Sequence, residues 1–167
     1  PKRAAVVYAT RPNDKGVHLE LTVPGNGHTL GGALTGAVSA DHFAARTVRR
    51  LELAVVAMDT AVGHTQVGPQ EVFRSEPIVV SADAPTPGIA YPFQLTLPTR
   101  PAPSFKGKRI QLRWFVEARA VVRFGRDAVL RTELHLAPMG KEAKTDGEAP
   151  PARVAPLGRE RRALIWA

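Results

Sequence analysis

The chain has no cysteine among its 167 residues, which excludes disulfide bonds, thiolate metal ligands and a cysteine nucleophile. It also lacks any apolar run long enough to cross a bilayer as a helix. Residues 1–8 are basic at their start but carry neither an adequate apolar stretch nor a cleavage site, so we expect no secretory signal. These absences favour a cytoplasmic protein, which is our prediction for its location.

Acidic residues are scarce relative to basic ones, which gives a formal net charge of +8. Nearly all of the excess lies in residues 100–131, where nine Lys or Arg accompany only Glu117 and Asp127. A local basic surface favours an acidic, phosphate-bearing or anionic membrane partner. The alternative is that these arginines only solubilise an exposed sheet face.

The hydropathy pattern alternates with a period of two residues and shows no long helical stripe, which is typical of β-strands. Glycines in the second predicted strand indicate a bulge or a close backbone approach. The length corresponds to one domain, and we predict an all-β fold, an antiparallel two-sheet β-sandwich. Strands are predicted over residues 17–23, 30–38, 48–58, 91–97, 109–124 and 128–136, with one or two weaker strands within 67–80.

The clearest strand covers residues 109–124, where apolar side chains occupy even positions and mostly charged side chains occupy odd positions. One apolar and one charged face are expected of an antiparallel sheet with one solvated side. Basic residues beside an aromatic platform bind single-stranded nucleic acid, and a basic stripe would also attract an anionic membrane surface. Glu117 interrupts the stripe, so this binding mode is our second hypothesis. The stripe consists of Arg109, Arg113, Arg119 and Arg123, with Phe115 on the same side.

The run of residues 128–136 also places its apolar side chains at even positions. A loop of odd length keeps the apolar faces of the two strands together, so we predict a three-residue loop, residues 125–127. In that register Arg119 lies opposite Glu133.

No residue pattern indicates catalysis. The glycines of residues 25–32 lack the Gly-Lys-Ser/Thr ending of a phosphate loop and precede a strand rather than a helix. The five histidines are scattered without metal-ligand spacing, and no serine lies in a nucleophile elbow. Ser104 is interpreted as a turn residue whose hydroxyl bonds nearby backbone. We therefore predict no enzymatic activity, catalytic residue, metal site, cofactor or small-molecule substrate.

The composition divides the chain into four segments: residues 1–14 as an N-terminal arm, 15–137 as the sandwich, 138–156 as a flexible Pro/Gly-rich linker, and 157–167 as a short C-terminal docking tail. The apolar end of the tail needs burial, either on the sandwich or against a partner. Trp is enriched among interface hot spots, so we predict a partner anchor formed by Leu164, Ile165 and Trp166. Docking of the tail on its own sandwich is the alternative.

Residues 91–107 read YPFQLTLPTRPAPSFKG and continue into the strand IQLRWFVEA, residues 110–118. This arrangement resembles the strand–PxxPxSF–strand segment of arrestin-like domains, a superfamily that includes arrestins, the retromer cargo-adaptor subunit and bacterial sporulation-control proteins. Residues 27–38 and 48–56 are similar to two other strands of that fold, so the resemblance covers about residues 15–137. Arrestins pair two such domains, whereas this chain has room for one, and their phosphate-sensing residues have no match here.

The resemblance implies an immunoglobulin-like or arrestin-like β-sandwich that binds other proteins through its sheet faces, edge strands or end loops. A lone domain has exposed sheet edges that must be covered, charged or paired. Pairing with itself, or with a related arrestin-like chain, would supply the missing second domain. Our first hypothesis is therefore a non-catalytic protein-binding adaptor or scaffold subunit of a bacterial cytoplasmic assembly.

Overall fold

The computed structural model describes residues 5–9, 16–25, 27–61, 68–81 and 83–139. Within these ranges every regular element is a β-strand. The twelve strands are β1 (Ala5–Ala9), β2 (His18–Pro24), β3 (His28–Thr29), β4 (Ala33–Asp41), β5 (Val48–Ala61), β6 (Gln70–Arg74), β7 (Ile78–Ser81), β8 (Ala90–Thr96), β9 (Phe105–Lys106), β10 (Ile110–Val122), β11 (Ala128–Leu134) and β12 (Leu136–Ala137).

Two antiparallel sheets face each other. The first has the strand order β1-β2-β4-β8, and the second has the order β11-β10-β5-β6, with β7 also paired to β5 and β9 also paired to β10. A short parallel pair joins β12 to β3. The predicted all-β, two-sheet β-sandwich is confirmed.

The core lies between the sheets and is filled by the residues that alternate inward along each strand. On β10 the inward positions run from Leu112 to Val122 at even numbers, as predicted. Trp114 is the largest fully buried side chain, and its indole Nε1–H donates a 2.8 Å hydrogen bond to the backbone oxygen of Ala102. This bond satisfies the polar atom of the indole in a place where leaving it unpaired would cost stability.

Gly36 in β4 is one of the glycines that lie within the second predicted strand, and the structure shows why glycine is needed there. A Cβ atom at this position would come within 2.7 Å of the Phe93 ring, which lies on the neighbouring strand directly opposite Gly36. Glycine therefore provides the space that the Phe93 ring occupies, which is the close approach predicted from the sequence.

Ser104, in the PxSF segment, connects the second sheet to β12. Its backbone N–H donates to the oxygen of Leu136 (2.9 Å), and its Oγ accepts a hydrogen bond from the Leu136 N–H (3.0 Å). The interpretation of Ser104 as a residue bonding only nearby backbone is therefore wrong, because its partner lies 32 residues further along the chain. These two hydrogen bonds, called the Ser104–Leu136 clamp below, fix the position of the chain directly after β11.

The β10–β11 hairpin differs from the predicted register. The observed partners run from Trp114↔Leu134 to Ala120↔Ala128, so the predicted three-residue loop is wrong. The prediction that even-numbered residues of the two strands lie opposite each other is correct. The Asp127 side chain accepts a 2.9 Å hydrogen bond from the Val122 N–H. The carboxylate takes the place of a backbone partner for this N–H, and the β10–β11 ladder ends at Ala120↔Ala128, four residues away from the predicted register.

The prediction of an N-terminal arm over residues 1–14 needs a correction, because β1 lies inside this segment and pairs antiparallel with β2.

At the C-terminal end, nearly all of the linker and the whole docking tail, including Leu164, Ile165 and Trp166, lie outside the described residues. The described part of the chain contains no helix that meets the length and apolarity of a membrane span.

Candidate docking edge and the charged sheet face

The four arginines of the predicted stripe do not form a continuous cationic surface. Arg113 binds Glu133 through two hydrogen bonds, with Nε–Oε1 at 2.9 Å and Nη2–Oε2 at 2.5 Å. Arg119 contacts Glu117, with Nη2 at 3.2 Å from Oε1. Arg109 precedes β10 and Arg123 follows it, so these two lie at opposite ends of the strand. The centre of the predicted stripe is therefore neutralised.

Glu117 is the centre of the charged face. Only 3% of this side chain is exposed, although it points to the outer face of the sheet. It accepts hydrogen bonds from Arg74 at 2.9 Å and from Arg131 at 2.7 Å, in addition to the contact with Arg119. Three guanidinium groups from β6, β10 and β11 thus cover one carboxylate, and Glu71 holds Arg74 from the other side.

The ionisation of these carboxylates follows from their partners. Burial raises the pKa of the Glu117 carboxyl, but hydrogen bonds from Arg74 and Arg131 outweigh burial and lower this pKa to about 2. The hydrogen bond from Arg113 lowers the pKa of Glu133. All of these carboxylates are therefore charged at neutral pH.

The role of Arg74 and Glu71 could not be found from the sequence. Both lie on β6, within the segment whose strand pattern was weakest. Arg74 reaches Glu117 because β6 and β10 both lie beside β5, and Glu71 binds Arg74. The sequence analysis did identify Glu117 as the acid that interrupts the stripe, and it placed Glu133 opposite Arg119. The predicted partners were wrong because of the register shift, since Glu133 lies opposite Phe115 rather than Arg119.

Among the described residues there is no group of three or more His, Cys, Asp or Glu side chains that could hold a metal ion. A shallow cavity lies beside the Glu117 cluster, lined by Ser75, Pro77 and the paired charges. The Ser75 hydroxyl accepts a hydrogen bond from the Val55 N–H and donates to the oxygen of Glu76, so it serves the backbone.

The edges of the two sheets differ in how well they are protected against strand addition. Strand β8 is an edge of the first sheet and contains Pro92, which lacks an N–H and so cannot donate a hydrogen bond to an added strand. The edge formed by β6 and β7 is interrupted at Pro77, and its pairing with β5 has two register shifts. Proline and bulges are devices by which proteins block open edges.

Strand β1, which is five residues long, and strand β11 both lack these devices. The seven residues of β11 pair with β10 without a register shift and include no proline. Among the described residues, β11 has β10 as its one strand partner, so its other side is free. The side chains on its outer face are Val129, which is 43% exposed, and the two charged residues Arg131 and Glu133. This free edge of β11 is the candidate docking edge.

One polar atom on β11 has no partner. Thr132 is 2% exposed, and its Oγ1 makes no hydrogen bond in the structure. A buried hydroxyl without a partner costs about 1–3 kcal/mol. Such an atom on a free edge strand calls for an explanation.

Comparison with known proteins supports the fold. No protein-family model matches the chain, and no curated protein matches it. Among solved structures, the chain is similar to Spo0M, a sporulation control protein from Bacillus subtilis, with a TM-score of 0.54 and 17% sequence identity over 80% of this chain. The chain spans 49% of the length of that protein. The likeness is one of fold, and it agrees with the arrestin-like β-sandwich that the PxSF segment predicted.

Proposed function

We propose that this protein is a non-catalytic protein-binding adaptor or scaffold subunit, and that β11 receives its protein partner. The observation that carries the proposal is the free side of β11, a regular seven-residue edge without proline or bulge. An extended segment of another chain can extend such a sheet, with main-chain hydrogen bonds supplying affinity and alternate side chains supplying specificity. The proposal places the protein in a bacterial cytoplasmic assembly.

The C-terminal tail has a separate part in the proposal. Leu164, Ile165 and Trp166 would anchor the same partner or a second one, since Trp is enriched among interface hot spots. Deletion of residues 157–167 separates this role from that of β11. Loss of partner binding with unchanged stability supports the anchor, whereas a large loss of stability supports docking of the tail on its own sandwich.

Affinity capture from native, nuclease-treated lysate tests the proposal. Val129→Pro removes one N–H from β11, while Val129→Thr keeps that N–H and the β-branched shape as the matched control. We expect a protein recovered at constant stoichiometry with the wild-type and Val129→Thr baits and lost with Val129→Pro. Recovery of the same protein with all three baits would show that β11 is not the docking edge.

A second candidate function is electrostatic binding of an anionic surface, located at the end of the sandwich instead of along β10. Arg123 and Phe124 of the β10–β11 loop line a shallow cavity with Arg46 of the β4–β5 loop. Phe124 is 76% exposed, and the Arg123 guanidinium lies 5.9 Å from its ring centroid. The described residues provide no ion-pair partner for Arg46 or Arg123, in contrast to Arg113.

Vesicle and nucleic-acid binding measured against salt concentration tests this second candidate. Electrostatic binding weakens steeply as salt rises. An Arg123→Gln substitution should weaken it, while Arg113→Gln, which removes an arginine already paired with Glu133, should change it little. Binding that is independent of salt would contradict this candidate.

A further inference from the structure

We infer that the β9–β10 hairpin is a contact site for an anionic lipid bilayer. Its turn would lie among the phosphate headgroups, and its apolar face would rest against the acyl chains. The site is separate from the β11 edge and lies at the opposite end of the sandwich from the cavity of Arg46 and Arg123. It therefore goes beyond both candidate functions described above.

Strand β9 and the start of β10 form a tight hairpin. The Gly107 N–H donates a 2.9 Å hydrogen bond to the oxygen of Ile110, so Lys108 and Arg109 form a two-residue turn between them. Ile110 is the first residue of β10 and pairs with Ala61, the last residue of β5. The turn therefore lies at the end of the second sheet, away from the end that carries the β10–β11 loop.

Apolar side chains are exposed on one face of this hairpin. Phe105 is the cross-strand partner of Leu112, so both side chains lie on the face that continues the core. Ile110 shares this face because it is two residues from Leu112. Leu112 is buried, whereas Phe105 is 45% exposed and Ile110 is 49% exposed. The core thus ends at Leu112, and the two side chains beyond it form an uncovered apolar surface.

The cations of the hairpin are not neutralised. Lys106, Lys108 and Arg109 make no ion pair with any residue that the structure describes. The sequence accounts for part of this, since residues 84–116 contain no Asp or Glu. On the neighbouring strand β5, Asp59 lies opposite a core residue of β10 and forms no ion pair with these cations. The hairpin therefore combines an uncompensated positive charge with an exposed apolar face.

This combination fits a lipid bilayer better than it fits other anionic partners. At an anionic membrane surface, Lys and Arg are attracted to the headgroups while neighbouring apolar side chains enter the acyl boundary. Single-stranded nucleic acid stacks its bases on aromatic rings, and Ile110 provides no ring. An acidic protein segment would match the charge alone and leave the apolar surface in water.

Co-sedimentation of the full chain with vesicles tests the inference. We expect binding to phosphatidylcholine vesicles that contain about 30% phosphatidylserine, and none to phosphatidylcholine alone. Replacing Lys106, Lys108 and Arg109 together by Gln should weaken binding on the order of a hundredfold, because each cation near an anionic surface contributes roughly a fivefold factor. Arg113→Gln is the matched control, since this cation is already held by Glu133. No binding to the anionic vesicles, or an equal loss in the control, would overturn the inference.

A fluorophore on an introduced cysteine tests which side chains enter the membrane, because the natural chain contains no cysteine. Ile110→Cys labelled with a polarity-sensitive dye should shift its emission to the blue when anionic vesicles are added. Phe124→Cys is the matched control, since Phe124 is also exposed but lies at the other end of the sandwich. A shift of the Phe124 label without a shift of the Ile110 label would overturn the inference.

A single-stranded oligonucleotide serves as the alternative anionic probe. If it shifts the emission of the Ile110 label and anionic vesicles do not, the hairpin binds nucleic acid and the inference is wrong. These outcomes leave the adaptor proposal untouched, because that proposal rests on the β11 edge and is tested by Val129→Pro.

Discussion

Glu117 and Arg131 are direct cross-strand partners in the β10–β11 hairpin, and the Arg131 Nε donates a 2.7 Å hydrogen bond to Glu117 Oε2. Arg74 also donates a hydrogen bond to Glu117. It lies on β6, which is separated from β10 by β5. One buried carboxylate therefore links three strands of the second sheet, including the proposed docking edge. This arrangement keeps β11 in register while its other side stays free.

Replacement of Glu117 by Gln should lower the free energy of unfolding by about 1–2 kcal/mol. The change removes charge-assisted hydrogen bonds to a buried group, but the cost is limited because the arginines are about 36–41% exposed and can bind water. The matched control is Glu133→Gln, in a pair exposed on both sides, for which we expect about 0–1 kcal/mol. Urea denaturation of the two variants measures the difference, and equal effects would contradict a special role for Glu117.

The contribution of Glu117 should also depend on pH. Its folded-state pKa is lowered to about 2 from the usual 4.5, so the unfolded state binds protons more readily. The stability that Glu117 contributes is therefore fully present above pH 4.5 and is lost as the pH falls towards 2. The difference in unfolding free energy between wild type and Glu117→Gln should shrink across this window. A difference that stays constant down to pH 2 would show that the charge of Glu117 is not responsible.

Gly36→Ala should destabilise the protein by about 1–3 kcal/mol, because the new methyl group would overlap both the Thr22 backbone oxygen on β2 and the Phe93 ring on β8. Gly68 is the control, since no atom lies within 4 Å of a Cβ built there. Gly68→Ala should stay within about 0.5 kcal/mol of wild type. Thermal unfolding distinguishes the two, and a neutral Gly36→Ala would show that β4 is less closely packed against β2 and β8 than described.

Ser104→Ala should cost about 1–2 kcal/mol, because the Leu136 N–H loses its acceptor. Amide exchange at Leu136 should become faster, while exchange in the centre of β10 should not change. Ser39→Ala, for which the structure shows no side-chain hydrogen bond, serves as the control. Unchanged protection of the Leu136 amide in Ser104→Ala would contradict the clamp.

The sequence predicted the faces of the strands better than their partners. Alternation along residues 109–124 identified the inward side chains of β10, because burial on one face of a sheet enforces a period of two. The register of the hairpin, which ends at the contact between Asp127 and Val122, is not encoded by alternation. Arg113 and Arg119 were correctly placed on an exposed face, but their acidic neighbours follow from the register and could not be assigned.

Residues outside the main pattern were harder to predict. Strand β1 was missed because residues 1–14 were interpreted as an arm, although their short apolar run pairs with β2. Arg74 was missed because its contact with Glu117 depends on β6 and β10 flanking the same strand. The free edge of β11 is a property of strand order, so no local sequence signal reveals it.

Amide hydrogen exchange along β11 tests the central claim most directly, because it measures whether the free edge becomes covered. At low protein concentration the amides of Leu130, Thr132 and Leu134, which face β10, should be protected, and those of Arg131 and Glu133 should exchange rapidly. When a partner binds, Arg131 and Glu133 should become protected as well. Rapid exchange at both residues in every complex would contradict docking at β11, as would full protection in the dilute single chain.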